Sequence, residues 1–445
     1  MRRRTRDRKG TSQEKGARFI AQLSKVNFWL LSSVQESMIA LEKLLSLLPP
    51  CLLEQLALEH HVDARNQVRL RGSTVFICLL NGLLNHGDLT QRLLEEIYQQ
   101  HYQPQTAHRA DHSSFGKRLA SIKPAFFAAI YAHLHRRMAP QATAGETKAL
   151  RLRWADATSV LLSAKLLSFG LLSGTRRQQG QYRAVKSVLA LHEDGLPHLL
   201  HVCRDPSETG DSVALGRTMH QHSQPGDLWI FDKGVHGRQR LLDIAEAGAF
   251  FLTPHGCQGV RVGRVLWRSE EPEPSALPAE GQPAFVPLRA EQVVFENSRA
   301  GAEQRQKWAK LPLVLVHGLR FDVRAGLWKP LTLMTNLPPS TEGSQAGPYT
   351  WGQLGELYRR RWDMETLFKF LKQHLSYSHL TSRSENGIQV MIYMSLIAAL
   401  LLIWYKRQTG IDRGWRSVKF WFAEDVRLWT EQALRQEFQE QQRQE

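Results

Sequence analysis

The stretch LRLRWADATSVLL, residues 150–162, reads as one long strand that carries a single carboxylate, Asp156, among apolar neighbours. A carboxylate in such a setting is costly unless it is paired or bound to a metal. A second stretch, LWIFDKG at residues 228–234, places Asp232 directly after the apolar run Trp229-Ile230-Phe231 and before Lys233-Gly234. The C-terminal end of a strand is where open α/β sheets carry their sites.

Outward from these two strands, Ala184 to His192 and Pro197 to Arg204 are β-like on either side of the turn Glu193-Asp194-Gly195. Helices are expected from the cap-rich Pro206–Ser212 segment to about Ser223 and near Arg238–Ala247, with a strand at Ala249–Thr253. The order β-β-β-α-β-α-β is that of a ribonuclease-H-like core, an antiparallel meander extended by parallel strands, so the fold class expected is α/β. Further β segments at Val260–Trp267, Ala290–Phe295, Leu313–Val323 and Leu331–Thr335 make residues 256–339 a β-rich insertion, with the Pro/Glu-rich run Glu270–Pro287 inside it. Ahead of the core, Val34–Leu48, Ser73–Leu84, Leu89–Tyr98 and Phe126–Arg137 repeat apolar residues at three and four spacing. The organisation expected is therefore a basic arm (1–30), an all-α N-terminal DNA-binding domain (31–145), a core in two pieces (146–255 and 340–410) around the insertion, and a charged C-terminal tail (411–445). Within the helical part, Ala110–Leu119 reads either as a recognition helix of a helix-turn-helix or as a solvated basic face.

Composition narrows the partners. The 445 residues hold 58 Lys+Arg against 42 Asp+Glu, a formal charge of +16, and 42% of them are hydrophobic, which excludes wholesale disorder and makes a polyanion the first partner to consider. Arg2, Arg3, Arg4, Arg6, Arg8, Lys9 and Lys15 oppose only Asp7 and Glu14 in the arm, and the polar run Thr11–Gly16 stands where a signal peptide would be apolar. Cys51, Cys78, Cys203 and Cys257 lie far apart with no Cys-x-x-Cys pair, which argues against a disulfide scaffold and against a structural zinc site. Ile388–Tyr405, broken only by Gln389 and Ser395, is about long enough to cross a bilayer. A helix apolar all round is also how the core of a large protein reads, and no membrane partner is expected.

On a helical wheel over Thr350–Leu375, Tyr358, Arg361, Glu365 and Lys372 share a stripe about 60° wide. Leu357, Met364, Leu367, Phe368 and Leu371 lie directly beside it, so the four polar side chains border the core, unlike an ordinary solvated face. In the expected strand order Asp156 and Asp232 are neighbours, and Glu365 joins them from the later helix. Three carboxylates at one point repel unless cations neutralise them, and two Mg²⁺ ions are the usual solution in phosphodiester chemistry. Other polar residues read as structural: Asp227 as a turn residue, Asp205 and Asp211 as caps, Glu356 and Asp363 off the stripe, His236 at a helix start.

The spacing Tyr358, two residues, Arg361, three, Glu365, six, Lys372 resembles the Tyr-Arg-Glu-Lys signature of the bacterial DDE transposases of insertion-sequence family four, over a layout from about residue 30 to 405. The resemblance implies a ribonuclease-H-like fold with a β-strand insertion before the last carboxylate. It implies that Asp156, Asp232 and Glu365 ligate two Mg²⁺ ions, with Mn²⁺ as a substitute, and that Tyr358, Arg361 and Lys372 hold phosphates of a transposon end. Lys233 stands where such proteins often carry Arg; it keeps the charge for a phosphate contact but loses the bidentate geometry. Trp267 and Trp328 are candidates for supporting a flipped base, with core packing as the alternative.

The function expected is cut-and-paste DNA transposition: metal-dependent cleavage at transposon inverted repeats, then strand transfer into target DNA, by a homodimer that pairs two ends of double-stranded DNA. A bacterial cytoplasmic, nucleoid-associated location follows from that. The rivals are a catalytically inactive transposase-derived DNA-binding protein and a nuclease without strand-transfer activity.

Overall fold

Strand β1 (Arg151–Leu162) pairs antiparallel with β3 (Tyr182–His192), and β3 with β4 (Pro197–Cys203). On the other side of β1, β5 (Asp227–Ile230) and then β6 (Phe250–Pro254) add in parallel, with Trp154 opposite Ile230 and Ile230 opposite Leu252. Helices α7 (Asp211–His222) and α8 (Arg238–Glu246) make the connections into β5 and β6. The expected order of three antiparallel and two parallel strands is the order observed. In this computed structural model the residues described are 41–63, 69–102, 109–139, 150–162, 171–173, 182–203, 208, 210–235, 237–255, 259–270, 284–296, 301–311 and 313–444. The expected basic arm, Asp205, His236 and the Asp211 side chain lie outside them.

The segment expected as an insertion continues the same sheet. β10 (Leu327–Thr335) pairs antiparallel with β6, followed outward by β9 (Leu313–Asp322), β8 (Phe285–Phe295) and β7 (Val260–Arg268). With the short β2 (Leu171–Ser173) beside β3, the sheet has ten strands among the described residues. An uncovered β6 would present a row of unpaired backbone groups, and β10 satisfies them. Helix α9 (Ala302–Lys310) joins β8 to β9.

Alternation along the strands builds two cores. Trp229, Phe231 and Phe251 point to the face covered by α7 and α8, where they meet Leu215 and Leu241. Trp154, Ile230 and Leu252 point to the other face, against Trp351, Leu354 and Tyr358 of α10 (Trp351–Arg359) and Leu367 and Leu371 of α11 (Trp362–His374). The single helix expected over residues 350–375 is thus two. Backbone N–H groups of Arg361, Asp363 and Met364 donate to carbonyls three residues back, at 3.0, 2.9 and 3.0 Å, so the chain tightens to a 3₁₀ turn at the junction and the wheel is overwound there.

Helices α1 (residues 41–47), α2 (Pro50–Glu59), α3 (Gly72–Asn85), α4 (Gln91–His101), α5 (His112–Ser121) and α6 (Pro124–Met138) share one core with α12 (Glu385–Thr409) and α13 (Trp415–Gln444). The apolar stretch of α12 has mean hydropathy 2.1 and is 83% buried. It lies chiefly against α6, with α3, α5 and α13 around it and α11 touching one side, so the N-terminal helices supply more of its surroundings than the helix that carries Glu365. The segment expected as a charged tail is α13, which buries Val418, Phe422, Val426 and Trp429. Spacings of four, four and three keep those four on one stripe; Arg416, Glu424 and Arg435 face out, whereas Asp425 and Glu437 are buried with the apolar residues. The Trp429 indole N–H donates to the Leu48 carbonyl at 2.9 Å. In α5, capped by Asp111, the Arg118 guanidinium is spent on Asp63 and on the carbonyls of Leu70 and Val62.

Candidate active site

Asp156 and Asp232 each follow by two residues a pair in register on adjacent parallel strands, Trp154 and Ile230, so both carboxylates arise on the α10–α11 side of the sheet. Glu365 comes down from the first turn of α11. Arg361, 8% exposed, stands among them: its guanidinium donates to Glu365 Oε1 at 2.8 Å and lies 3.8 Å from Asp156 Oδ2. The Tyr358 hydroxyl donates to Asp232 Oδ1 at 3.3 Å, and Arg361 sits 5.9 Å from the centroid of the Tyr358 ring. Five of the seven expected residues thus form one network. It is built from β1, the end of β5 and the two helices. The carboxylates do not close into a single ligand cluster, because Arg361 stands between Asp156 and Glu365.

Lys233 is exposed beside Asp232, and its backbone N–H donates to Asp232 Oδ1 at 2.7 Å. With Arg238, Thr253 and His255 it lines a cleft at the ends of β5 and β6. Lys372, half-buried, lies seven residues beyond Glu365, roughly 10 Å along the helix, and so faces a different point of any bound strand.

Burial pushes the Tyr358 phenol up to about 12; the Asp232 charge adds to the shift and Arg361 opposes it, so the hydroxyl is a proton donor throughout the neutral range. Burial works against the charge on Arg361, yet Tyr358, Asp232 and Glu365 outweigh it and hold the guanidinium above its ordinary value.

Three anchors were not singled out by the sequence. The Trp154 indole N–H donates to the Leu357 carbonyl at 2.8 Å, and Arg360 stacks on the Trp154 ring at 4.3 Å, which fixes the α10–α11 junction onto β1. Tryptophan two residues before Asp156 was the available signal. Asp227, expected in a turn, is fully buried and ion-paired with Arg151 and Arg153 Nε at 2.9 and 3.0 Å. The two alternate arginines of β1 were its signal. Trp328 packs edge-on against Phe321 at 5.4 Å, and Trp267 leans on the main core.

A carboxylate trio on a mixed sheet, closed by a helix that brings both the last acid and its arginine, defines a DDE-type domain. Residues 149–401 match the family model described as the transposase DDE domain, and the chain belongs to that family, the bacterial DDE transposases. It is 27% identical over 244 residues to a Sinorhizobium fredii protein named "Putative transposase y4zB", covering 54% of this chain and 59% of that one. It is 40% identical over 70 residues to a Synechocystis protein named "Putative transposase for insertion sequence element IS4SA", covering 16% of this chain and 20% of the other. The chain therefore spans about three-fifths of one curated relative and one-fifth of the other. Among solved structures it is similar to a piggyBac transposase synaptic complex with hairpin DNA, over 90% of this chain and 81% of that one, with TM-score 0.41 and 10% identity.

Proposed function

We propose that this protein is a cut-and-paste transposase with a ribonuclease-H-like core, whose reacting centre is Asp156, Asp232 and Glu365. The observation that carries the reading is the Arg361 guanidinium shared between Asp156 and Glu365, beside the Tyr358–Asp232 bond. These contacts gather acids 209 residues apart in the chain onto one face. Two aspartates and a glutamate are hard oxygen donors of the kind Mg²⁺ and Mn²⁺ take, and their three charges exceed the one of Arg361, so the residues fit a pair of such ions. When bound, the ions supply an activated water and neutralise charge on the phosphate.

The rest falls to the chain. Tyr358 and Arg361, both proton donors at neutral pH, hold phosphate oxygens at the scissile position, and Lys233 and Lys372 hold phosphates on either side of it. Water oxygen bonds to phosphorus as the 3′-oxygen leaves with a proton; the freed 3′-hydroxyl then bonds to a target phosphorus at the same place, its proton passing to the target strand's own 3′-oxygen as that oxygen is displaced, with no covalent protein intermediate. The partners are double-stranded transposon ends and target DNA, paired by a homodimer on the bacterial nucleoid in the cytoplasm.

The test uses DNA carrying the inverted repeats that flank the reading frame, with Mg²⁺ or Mn²⁺. Asp156→Asn, Asp232→Asn and Glu365→Gln each abolish cleavage while gel-shift binding persists, and the wild type joins the cut ends to a target plasmid. Near-normal cleavage by one variant removes that residue from the centre. Cleavage without joining makes the protein a nuclease, and binding without either makes it a DNA-binding relative.

A further inference from the structure

His201 and Cys203 occupy alternate positions on β4, so both leave the strand toward α7, on the sheet face opposite the acidic trio. Cys203 is fully buried, and Glu208, in the turn ahead of α7, is 6% exposed. The His201 Nε2 lies 3.1 and 3.3 Å from the two Glu208 carboxylate oxygens. Imidazole nitrogen, thiol sulfur and carboxylate oxygen all fall within 4.8 Å of one another. We propose that His201, Cys203 and Glu208 form a zinc site.

The donor set selects the metal. A thiolate with an imidazole suits borderline-soft Zn²⁺ and excludes Mg²⁺ or Ca²⁺ as the preferred ion, and one carboxylate completes three protein ligands with a fourth position for water. His201, its side chain 37% exposed, leaves a solvent-facing approach. Binding releases the Cys203 thiol proton to solvent as the sulfur–zinc bond forms. Among the described residues two cations face the cluster: Arg217, half exposed, 3.6 Å from Glu208 Oε1, and Lys186, the register partner of Cys203 on β3. Arg217 can turn to solvent when the metal takes its place on the carboxylate. The consequence is mechanical, because the ion ties edge strand β4 to the segment that enters α7. Cysteine spacing pointed away from zinc because the donors are a His-x-Cys pair on a strand and a distant glutamate, with no Cys-x-x-Cys.

The test takes the full chain, stripped with a chelator and titrated with Zn²⁺ alone and, separately, Co²⁺ alone. The expected result is about one tightly held zinc per chain and, with cobalt, a near-ultraviolet sulfur-to-metal charge-transfer band. Cys203→Ser removes the band, Cys51→Ser leaves it, and Glu208→Gln weakens zinc by about tenfold or more. The double variant Asp232→Asn/Glu365→Gln keeps the zinc, which separates this site from the proposed reacting centre. No band in the folded wild-type protein overturns the proposal, as does a band that follows Cys51 or zinc affinity unchanged in Glu208→Gln. The Glu208→Gln arm decides the matter if Cys203→Ser does not fold.

Discussion

Arg361 is the residue on which the acidic network turns, and its position explains why neighbouring side chains are held as they are. Glu365 sits in the first turn of α11, where the helix dipole favours an anion, and Arg361 at the start of that helix is four residues away and reaches it directly. Tyr358→Phe removes only the hydroxyl that donates to Asp232, so the fold should persist while cleavage falls by about ten- to a hundredfold, the worth of one hydrogen bond to a charged group. Single-turnover cleavage beside a thermal melt separates the two effects. Asp227 offers the opposite case: buried between Arg151 and Arg153 and away from the trio, it holds β1 to β5. Asp227→Ala should cost about 3 kcal/mol of stability by leaving the half-buried Arg153 without its fully buried counter-charge, read as a drop in the urea midpoint.

At the scale of elements, the junction between α6 and the β3–β4 hairpin carries a column of histidines. The His198 ring stacks on His192 at 3.6 Å and meets His135 of α6 at 4.0 Å, while His135 Nε2 bonds the Pro197 carbonyl at 2.7 Å. Burial first, then Arg153 and the neighbouring imidazoles, push His192 down to about 4 and His198 to about 2; burial also lowers His135, with Asp194 pulling the other way. Arg151 is the remaining charge that bears on His192. The folded column binds fewer protons than the unfolded chain, whose histidines titrate near 6.5, so its stability is complete above about pH 6.5 and drains away as pH falls toward 4. Melts from pH 7.5 to 4.5 should show the loss, and His198→Leu should flatten it. An unchanged slope in His198→Leu would assign the acid sensitivity elsewhere.

For the whole molecule, the first helices and the last complete one core. α13 covers α3 and α12, and the Asn81 amide donates to Thr430 at 3.0 Å across 349 residues of sequence. Truncation after Gly410 should therefore expose the apolar faces of α3 and α12 and give insoluble or protease-sensitive protein, with cleavage lost through the fold. A soluble truncated chain that still cuts DNA would show the C-terminal helix to be dispensable.

Local pattern determined much of this protein. Strand alternation set the order of β1, β3, β4, β5 and β6, apolar periodicity marked the helices, and the Tyr358–Arg361–Glu365 spacing put the polar stripe beside the core, because each depends on residues within a turn or two of one another. Tertiary structure alone decided the rest. The overwound α10–α11 junction depends on Trp154 receiving it from another element, the continuation of the sheet through β10 depends on the open edge of β6, and the burial of Asp227 depends on two arginines of a different strand. The C-terminal segment looked like a tail because charged residues are as frequent in it as apolar ones, and only the groove between α3 and α12 gives its narrow stripe of Phe422, Val426 and Trp429 something to bury against. Contacts between residues hundreds of positions apart leave no periodic trace in a single chain, since the loop-closing entropy they overcome is recovered only when the whole core forms.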